Sequence, residues 1–254
     1  MLFAVDVGNT QTVLGLFEGE RLAAHWRTST HASLTGDELR ATVTGLLALD
    51  NLSWNDISGV ILASVVPRVT SAWEEAVGAS CSCEPLIVGP GLKTGMPIRY
   101  DNPHEVGADR IVNGVAAFRR LGGPVVVVDF GTATTIDVIS HDGAYLGGAI
   151  APGVETSADA LFSKAARLSK VDLEAPAKVI GSNTRESVQA GLILGEAVMV
   201  DGLVRRVWEE LGAETPVVAT GGLAERMAPL CETVGSADPD LTLEGLRIIF
   251  EMNQ

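Results

Sequence analysis

The sequence predicts an α/β protein built from two similar halves, and three observations support that fold class. Hydrophobic residues make up 46% of the 254 residues and charged residues 20%, as in well-buried globular proteins. Glycine is abundant at 28 residues while aromatic residues reach only 5%, which favours many tight turns between strands and helices. One strand–turn–strand pattern also occurs twice, about half a chain apart, and such a repeat indicates duplicated domains.

The repeated pattern is an apolar strand that ends in Asp, an apolar residue and Gly, followed by hydroxyl-bearing turn residues and a second strand. In the first half it reads Asp6-Val7-Gly8-Asn9-Thr10, and in the second half Asp129-Phe130-Gly131-Thr132-Ala133-Thr134. A single unit of this kind is usually a hairpin with good turn formers. Because two units stand at matching strand ends, we predict an N-terminal domain at residues 1–115 and a C-terminal domain at residues 116–254.

Apolar spacing and turn residues predict the other elements. We expect helices at Gly36–Leu49, from Pro67 to Val77, at about Val106–Leu121 and at Thr184–Leu211. We expect strands at Leu2–Val7, Thr12–Phe17, Arg21–Arg27, Gly59–Val65, Pro124–Asp129, Ile136–Ile139, Tyr145–Ile150 and Pro216–Thr220. Asn183 and Glu186 mark the start of the last helix as a capping pair. At about 1.5 Å per residue that helix would span ~40 Å, which suggests a role at a domain or subunit interface.

Charge and hydropathy exclude two classes of partner. The formal net charge is −14 and there is no run of Lys and Arg, so no binding to nucleic acid is expected. Apolar runs such as Val60–Val66 are far shorter than the ~20 residues of a membrane helix, so no membrane is expected either. The first residues lack the basic segment of a signal peptide, and the predicted location is the cytoplasm.

Cysteine usage indicates reduced thiols. The chain has three cysteines, an odd number that does not form a disulfide framework. Cys81 and Cys83 could together hold a metal, but no His or third Cys lies near them in the sequence. We therefore expect ordinary thiols at both positions.

The two Asp-containing turns have the chemistry of a phosphate site. Backbone N–H groups at a hairpin tip can bind phosphate without Lys, and the chain has no Gly-Lys-Ser/Thr loop of the Walker type. Gly8 and Gly131 would let phosphates approach the backbone closely. Hydroxyls that could donate to phosphate oxygens belong to Thr10, Thr12 and Thr132.

The acidic residue of each turn has a different use. Asp6 and Asp129 would hold a cation, directly or through water, that offsets the charge of the phosphates. We predict that the two turns face each other across the cleft between the domains and clamp a nucleotide with its metal. Gly221-Gly222, between a strand and a helix, could lie against the base or ribose.

Phosphoryl transfer to a hydroxyl also uses a carboxylate that orients the acceptor and takes its proton. The candidate is Asp109, within Gly107-Ala108-Asp109-Arg110 at the start of a predicted helix, where anions are favoured. Arg110 could bind a substrate carboxylate through its guanidinium. The structural alternative is a helix-start Asp beside a solvent-exposed Arg.

Six segments in this order resemble the type III pantothenate kinases, and the resemblance covers essentially the whole chain. They are Asp6-Val7-Gly8-Asn9-Thr10, Gly107-Ala108-Asp109-Arg110, Asp129-Phe130-Gly131-Thr132-Ala133-Thr134-Thr135, Gly147-Gly148-Ala149-Ile150-Ala151-Pro152-Gly153, Asn183-Thr184-Arg185-Glu186-Ser187 and Ala219-Thr220-Gly221-Gly222. The resemblance implies the duplicated ribonuclease H-like fold of the actin, acetate-kinase and sugar-kinase superfamily. That fold, also called actin-like ATPase, has mixed sheets flanked by helices and its active site in the interdomain cleft.

The resemblance further implies the reaction and its residues. The reaction is ATP-dependent phosphorylation of pantothenate to 4′-phosphopantothenate, the first step of coenzyme A biosynthesis, with Asp109 as proton acceptor. The implied pantothenate pocket consists of Tyr100, Gly107, Ala108, Asp109 and Arg110. The implied ATP site consists of Asp6, Val7, Gly8, Asn9, Thr10, Gln11, Thr12, Val13 and Thr132.

The resemblance also implies cations and a partner subunit. Asp129 would hold the monovalent cation, K⁺ or NH₄⁺, that the family requires beside Mg²⁺. Asp6 would hold Mg²⁺, directly or through water. The protein would be a homodimer in which Thr184 reaches the pantothenate pocket of the partner subunit.

Three alternative functions are compatible with parts of this pattern. A non-catalytic homologue that binds ATP or pantothenate could keep both hairpins but would not need Asp109 and Arg110. A kinase of the same superfamily that acts on a sugar or carboxylate is usually longer, with inserted domains. An actin-like filament protein is disfavoured by the short chain, and fold alone decides none of these.

Overall fold

The computed structural model describes residues 1–165, 168 and 170–254. Its strands are β1 (Leu2–Val7), β2 (Gln11–Glu18), β3 (Arg21–Ser29), β4 (Gly59–Ser64), β5 (Leu86–Ile87), β6 (Val125–Phe130), β7 (Ala133–Ile139), β8 (Tyr145–Pro152), β9 (Val217–Thr220) and β10 (Ser236–Ala237). Its α-helices are α1 (Gly36–Leu49), α2 (Pro67–Gly78), α3 (Ala108–Leu121), α4 (Val154–Lys164), α5 (Thr184–Gln189), α6 (Gly195–Leu211), α7 (Ala224–Met227) and α8 (Leu241–Glu251). The predicted elements are present with shifts of one to two residues at most ends.

Two five-stranded sheets have the same topology, and the predicted duplicated α/β fold is confirmed. The first sheet has the order β3-β2-β1-β4-β5 and the second the order β8-β7-β6-β9-β10. In each sheet three antiparallel strands follow one another in the chain, and the first of them also pairs in parallel with a later strand. The central strands β1 and β6 therefore correspond, and each carries the acidic residue of the repeated pattern next to its last residue.

Each sheet has its own hydrophobic core. In the first, apolar side chains of β1, β2 and β4 pack beneath α1 and α2 around the buried Trp73. In the second, alternate residues of β6 and β9 pack beneath α6 and α7. Strands β4 and β6 read as continuous apolar runs because both of their faces are covered.

The C-terminal segment belongs to a different unit from the one predicted. Compact unit 1 consists of residues 1–116 and 241–254, and unit 2 of residues 117–240, whereas the sequence predicted a C-terminal domain at 116–254. The reason is that α8 packs on β1, β2 and β4 of the first sheet. Leu243 fills the space left by Gly15, and Phe250 the space left by Gly59, so glycines in two strands make room for the helix.

The predicted helix at Thr184–Leu211 is present, but it is not uniform. A π-helical turn at Ala190–Leu194 separates α5 from α6. Asn183 caps the start by accepting the N–H of Glu186 at 3.0 Å, as the capping pattern predicted. By length and composition alone this 28-residue helix could cross a membrane, but 44% of its most apolar window is buried inside the protein. Core helices of ordinary globular proteins pass the same test, and its inner face lies in the second core.

The three cysteines are free thiols in the described part of the chain. Burial raises the pKa of the Cys81 thiol to about 11, and the neighbouring Cys83 adds to the shift. Burial likewise raises the pKa of Cys231 to about 12.

Candidate functional site

The first Asp-containing turn lies at the end of the central strand of unit 1. Asp6 pairs with Val13 of β2 and with Ala63 of β4, so neighbouring strands fix its backbone on both sides. The N–H of Gly8 donates to the carbonyl oxygen of Gln11 at 3.0 Å and closes the turn. A Cβ on Gly8 would lie 3.0 Å from that same oxygen, so glycine lets the turn close tightly. The three residues at its tip, Asn9, Thr10 and Gln11, are exposed.

The Thr12 hydroxyl, a predicted phosphate donor, is hydrogen-bonded within the protein. The side chain of Thr12 is only 3% exposed, and its hydroxyl is 2.8 Å from the hydroxyl of Thr30. The Thr30 N–H also donates to the carbonyl oxygen of Thr10 at 2.9 Å. The Thr12 hydroxyl therefore ties β2 to the residue that follows β3, and it supports the hairpin from inside.

The second turn lies at the end of β6 in unit 2. The Gly131 N–H donates to the carbonyl oxygen of Ala133 at 3.1 Å, and Thr132 at the tip is exposed. The carbonyl oxygen of Thr132 accepts the Gly153 N–H at 3.1 Å and the Thr156 hydroxyl at 2.6 Å. A side chain at Gly153 would overlap the backbone of this turn, which explains why glycine precedes α4.

The Asp129 carboxylate lies close to two glycines of unit 2, Gly131 and Gly221. Its backbone pairs with Thr135 of β7 and Thr220 of β9. A Cβ on Gly131 would be 3.4 Å from Asp129 Oδ1, and a Cβ on Gly221 would overlap that oxygen. Gly221 also has a φ of +93°, a conformation that favours glycine. In this structure Gly221 makes room for the Asp129 carboxylate, a packing role that the sequence did not reveal.

Asp109 lies in the first turn of α3, as predicted. Its Oδ1 accepts the Arg110 N–H at 2.8 Å and closely approaches the Cα of Gly107, where a side chain would clash. Burial raises the pKa of the Asp109 carboxyl, while the Arg110 N–H and guanidinium oppose the shift. Arg110 is 8% exposed, so the expected alternative of a solvent-exposed Arg is wrong.

Val65 connects the surroundings of Asp109 with the first turn. The Val65 N–H donates to the carbonyl oxygen of Val7 at 3.1 Å, beside Asp6. A Cβ on Gly107 would lie 3.8 Å from Val65 Cγ1. Within unit 1, Val65 is therefore hydrogen-bonded to the strand that carries Asp6 and lies close to Gly107, the residue before α3.

Two other predicted site residues are accessible. Tyr100 is 37% exposed in the long connection between β5 and α3. Thr184 is the exposed first residue of α5. It lines a groove of about 500 Å³ whose walls come from α4, the residues before α5, and α5 itself.

Among its described residues, unit 2 contains three buried acids that the sequence did not single out, Asp137, Glu196 and Asp201. Asp137 is fully buried and accepts hydroxyl hydrogen bonds from Thr135 at 2.8 Å and Tyr145 at 2.7 Å. Glu196, 8% exposed, accepts the Thr134 hydroxyl, and burial raises its pKa. Asp137 could have been recognised in the sequence, because an acid is unusual within the apolar strand β7. Glu196 could not, because α6 carries several acids.

Comparison with known proteins identifies the family of this chain. The family model described as "Type III pantothenate kinase" matches residues 2–206. The type III pantothenate kinase of Moorella thermoacetica is 51% identical over 253 residues, covering 100% of both chains. That of Syntrophotalea carbinolica is 50% identical over 254 residues, again covering 100% of both chains.

A solved structure supports the fold independently. The inorganic polyphosphate/ATP-glucomannokinase of Arthrobacter sp. strain KM aligns with a TM-score of 0.53 and 12% identity, covering 100% of this chain and 99% of that one. At that identity the likeness concerns the fold alone, and it agrees with two mixed sheets of equivalent topology. Taken with the full-length sequence relatives, these findings show that the chain belongs to the type III pantothenate kinase family.

Proposed function

We propose that the chain catalyses the ATP-dependent phosphorylation of pantothenate to 4′-phosphopantothenate, the first step of coenzyme A biosynthesis, in the cytoplasm. Membership of the kinase family supports the reaction. The structural observation that carries the proposal is the position of Val65. It touches both the Asp6 turn, our candidate for phosphate binding, and the start of α3, which carries Asp109.

Asp109 acts as the proton acceptor for the substrate hydroxyl. Its Oδ1 is engaged by the Arg110 N–H, and we assign Oδ2 to the acceptor hydroxyl. Partial burial raises its pKa, which makes the carboxylate a better base than an exposed Asp. Tyr100, Gly107, Ala108 and Arg110 complete the pantothenate pocket, with the Arg110 guanidinium assigned to the substrate carboxylate.

ATP binds to the first turn, residues 6–13, and to Thr132. The exposed residues Asn9 and Thr10 carry backbone and side-chain donors of the kind that suits phosphate oxygens. Thr12 takes part through its backbone, because its hydroxyl is occupied by Thr30.

The acidic residues suit cations by the chemistry of their donor atoms. Carboxylate oxygens are the ligands that Mg²⁺ prefers, and Asp6 at a strand end beside the exposed turn would hold it, directly or through water. Asp129 would hold K⁺ or NH₄⁺, and the glycines beneath its carboxylate leave that oxygen close to bare backbone. When bound, these cations would offset the charge of the phosphate groups.

The enzyme acts as a homodimer in which Thr184 completes the partner's pantothenate pocket. Thr184 is exposed in an open groove, where no neighbour from the described part of unit 2 covers it fully. Large apolar side chains are also exposed in unit 2, at Leu146, Ile150, Val179, Ile180 and Val198. Exposed apolar side chains of this kind would be covered in a subunit interface.

Mixing two inactive variants tests the shared site. In a hybrid of Asp109→Asn and Thr184→Arg subunits, one site carries both lesions and the other carries neither. Random mixing should therefore restore about a quarter of the wild-type activity. The matched control mixes Asp109→Asn with the double variant that also carries Thr184→Arg, which should restore none. Failure of the first mixture, with hybrid dimers verified by native mass spectrometry, would remove Thr184 from the partner's site.

A further inference from the structure

A row of polar side chains crosses the second sheet near the carboxyl end of its central strand. Val128 and Phe130 of β6 belong to the core beneath α6, so Asp129 between them projects to the opposite face. Residues paired across neighbouring strands share a face. Because Thr220 and Thr135 pair with Asp129, the three side chains form one row, in the order Thr220, Asp129, Thr135.

Thr220 in this row has an unsatisfied hydroxyl. The residue is 0% exposed, and its Oγ1 has no hydrogen-bond partner among the residues that the structure describes. Buried polar groups are nearly always hydrogen-bonded, and an exception calls for an explanation such as an ion. The next residue is Gly221, whose missing side chain lets Asp129 Oδ1 lie directly against the backbone.

Asp137, a second acid on the same face of the sheet, has its hydrogen-bond partners within the protein. Asp137 accepts one hydroxyl from Thr135 and another from Tyr145. Thr135, which pairs with Asp129, thus directs its hydroxyl to Asp137. Thr220 lies on the other side of Asp129 and directs its hydroxyl to no described protein acceptor.

We propose that Thr220 Oγ1 is a ligand, together with the Asp129 carboxylate, of the monovalent cation in this enzyme. The inference rests on the proposed function, which assigns that cation to Asp129. A hydroxyl oxygen beside a carboxylate offers lone pairs to a cation, whereas a phosphate there would be repelled by the carboxylate. One negative charge and one neutral oxygen also match a single positive charge better than a double one.

Thr220→Val should raise the stability of the protein without K⁺ and weaken its response to K⁺. Valine has nearly the same shape and suits a strand, but it lacks the hydroxyl. Without K⁺ the variant removes an unsatisfied buried group, so its Tm should rise by about 2 °C or more. With K⁺ it should gain little further, because a ligand of the ion is missing. Thr220→Ser keeps the hydroxyl and is the matched control.

The experiment measures Tm in KCl against choline chloride at equal ionic strength, without nucleotide or pantothenate, for wild type, Thr220→Val, Thr220→Ser and Asp129→Asn. Wild type and Thr220→Ser should be stabilised by K⁺ and Asp129→Asn should not. The half-saturating K⁺ concentration should rise at least about tenfold in Thr220→Val, the loss of one good ligand contact. If Thr220→Val does not fold, Thr220→Ala provides the same comparison.

The possible results distinguish the binding of the cation at Asp129 from the participation of Thr220. If wild type responds to K⁺, Asp129→Asn does not, and Thr220→Val responds like wild type, the assignment of Thr220 is wrong and the cation at Asp129 stands. If wild type and Asp129→Asn respond alike, Asp129 does not hold the cation, and the assignment of Thr220 is overturned with it. Kinase activity with pantothenate, measured separately, reports on the reaction itself.

Discussion

Replacing Asp109 with Asn separates catalysis from stability in one substitution. The side chains have the same shape, and the amide oxygen of Asn can still accept the Arg110 N–H that Asp109 Oδ1 accepts at 2.8 Å. An amide cannot take a proton from the substrate hydroxyl. A positioned general base contributes about 10²–10⁴-fold, so kcat should fall by that factor. This corresponds to about 3–5 kcal/mol of lost transition-state stabilisation.

The same substitution should increase stability at neutral pH. Burial raises the pKa of Asp109 in the folded state, so the folded protein binds this proton more tightly than the unfolded chain. The free energy of unfolding therefore falls as pH rises from the pKa of this carboxyl in the unfolded chain through its raised pKa in the folded protein. Asn has no such cost, so the Tm difference between the variant and wild type should grow over that pH range and stay level above it.

The assay follows 4′-phosphopantothenate by mass spectrometry and Tm by scanning calorimetry over the same pH series. Wild-type kcat/KM should decline as pH falls through the raised pKa of Asp109, and the residual rate of the variant should lack this decline. Asp101→Asn, at an exposed acid in the preceding connection, is the matched control and should change neither rate nor Tm appreciably. A variant that turns over within twofold of wild type would refute Asp109 as the proton acceptor. A variant that loses stability at neutral pH would instead refute the cost assigned to the burial of its carboxyl.

Two further substitutions test the packing that positions Asp129 and its neighbours. Gly221→Ala should destabilise unit 2 by about 1–2 kcal/mol or more, because φ of Gly221 is +93° and the new Cβ would overlap Asp129 Oδ1. Urea denaturation measures this loss, and unchanged stability would contradict the packing of Gly221 against Asp129. Gly202→Ala, in the exposed face of α6, is its control and should stabilise by about 0.5–1 kcal/mol. Tyr145→Phe removes a 2.7 Å hydrogen bond to the fully buried Asp137 and should cost about 1.5–3 kcal/mol in the same measurement, and a neutral result would contradict the importance of this bond.

The sequence revealed the fold because the duplicated strand–turn–strand units leave a strong local signal. Asp6 and Asp129 each stand near the end of an apolar strand, and apolar runs and glycine turns mark strands regardless of what packs on them. The end of the chain carried no such signal. Helix α8 joins the first sheet because Gly15 and Gly59, more than 180 residues earlier, leave space for Leu243 and Phe250, and no local pattern reports such a contact.

The site was predictable in its residue types but not in its packing. The turn residues and Asp109 stand out because acids, glycines and hydroxyls cluster there. The hydrogen bond from Thr12 to Thr30, the contact of Gly221 with Asp129 and the buried hydroxyl of Thr220 depend on which strands become neighbours. Register between strands fixes these relations, and it is set by tertiary packing.

Direct detection of the product tests the central claim, that this chain transfers phosphate from ATP to pantothenate. Purified protein is mixed with ATP, Mg²⁺ and pantothenate, in KCl or in choline chloride, and both ADP and 4′-phosphopantothenate are quantified by mass spectrometry, which avoids coupling enzymes that themselves need K⁺. The two products should form in equal amounts, only with pantothenate present, and faster in KCl. A folded protein that binds ATP yet forms no 4′-phosphopantothenate would contradict the claim and identify a non-catalytic homologue.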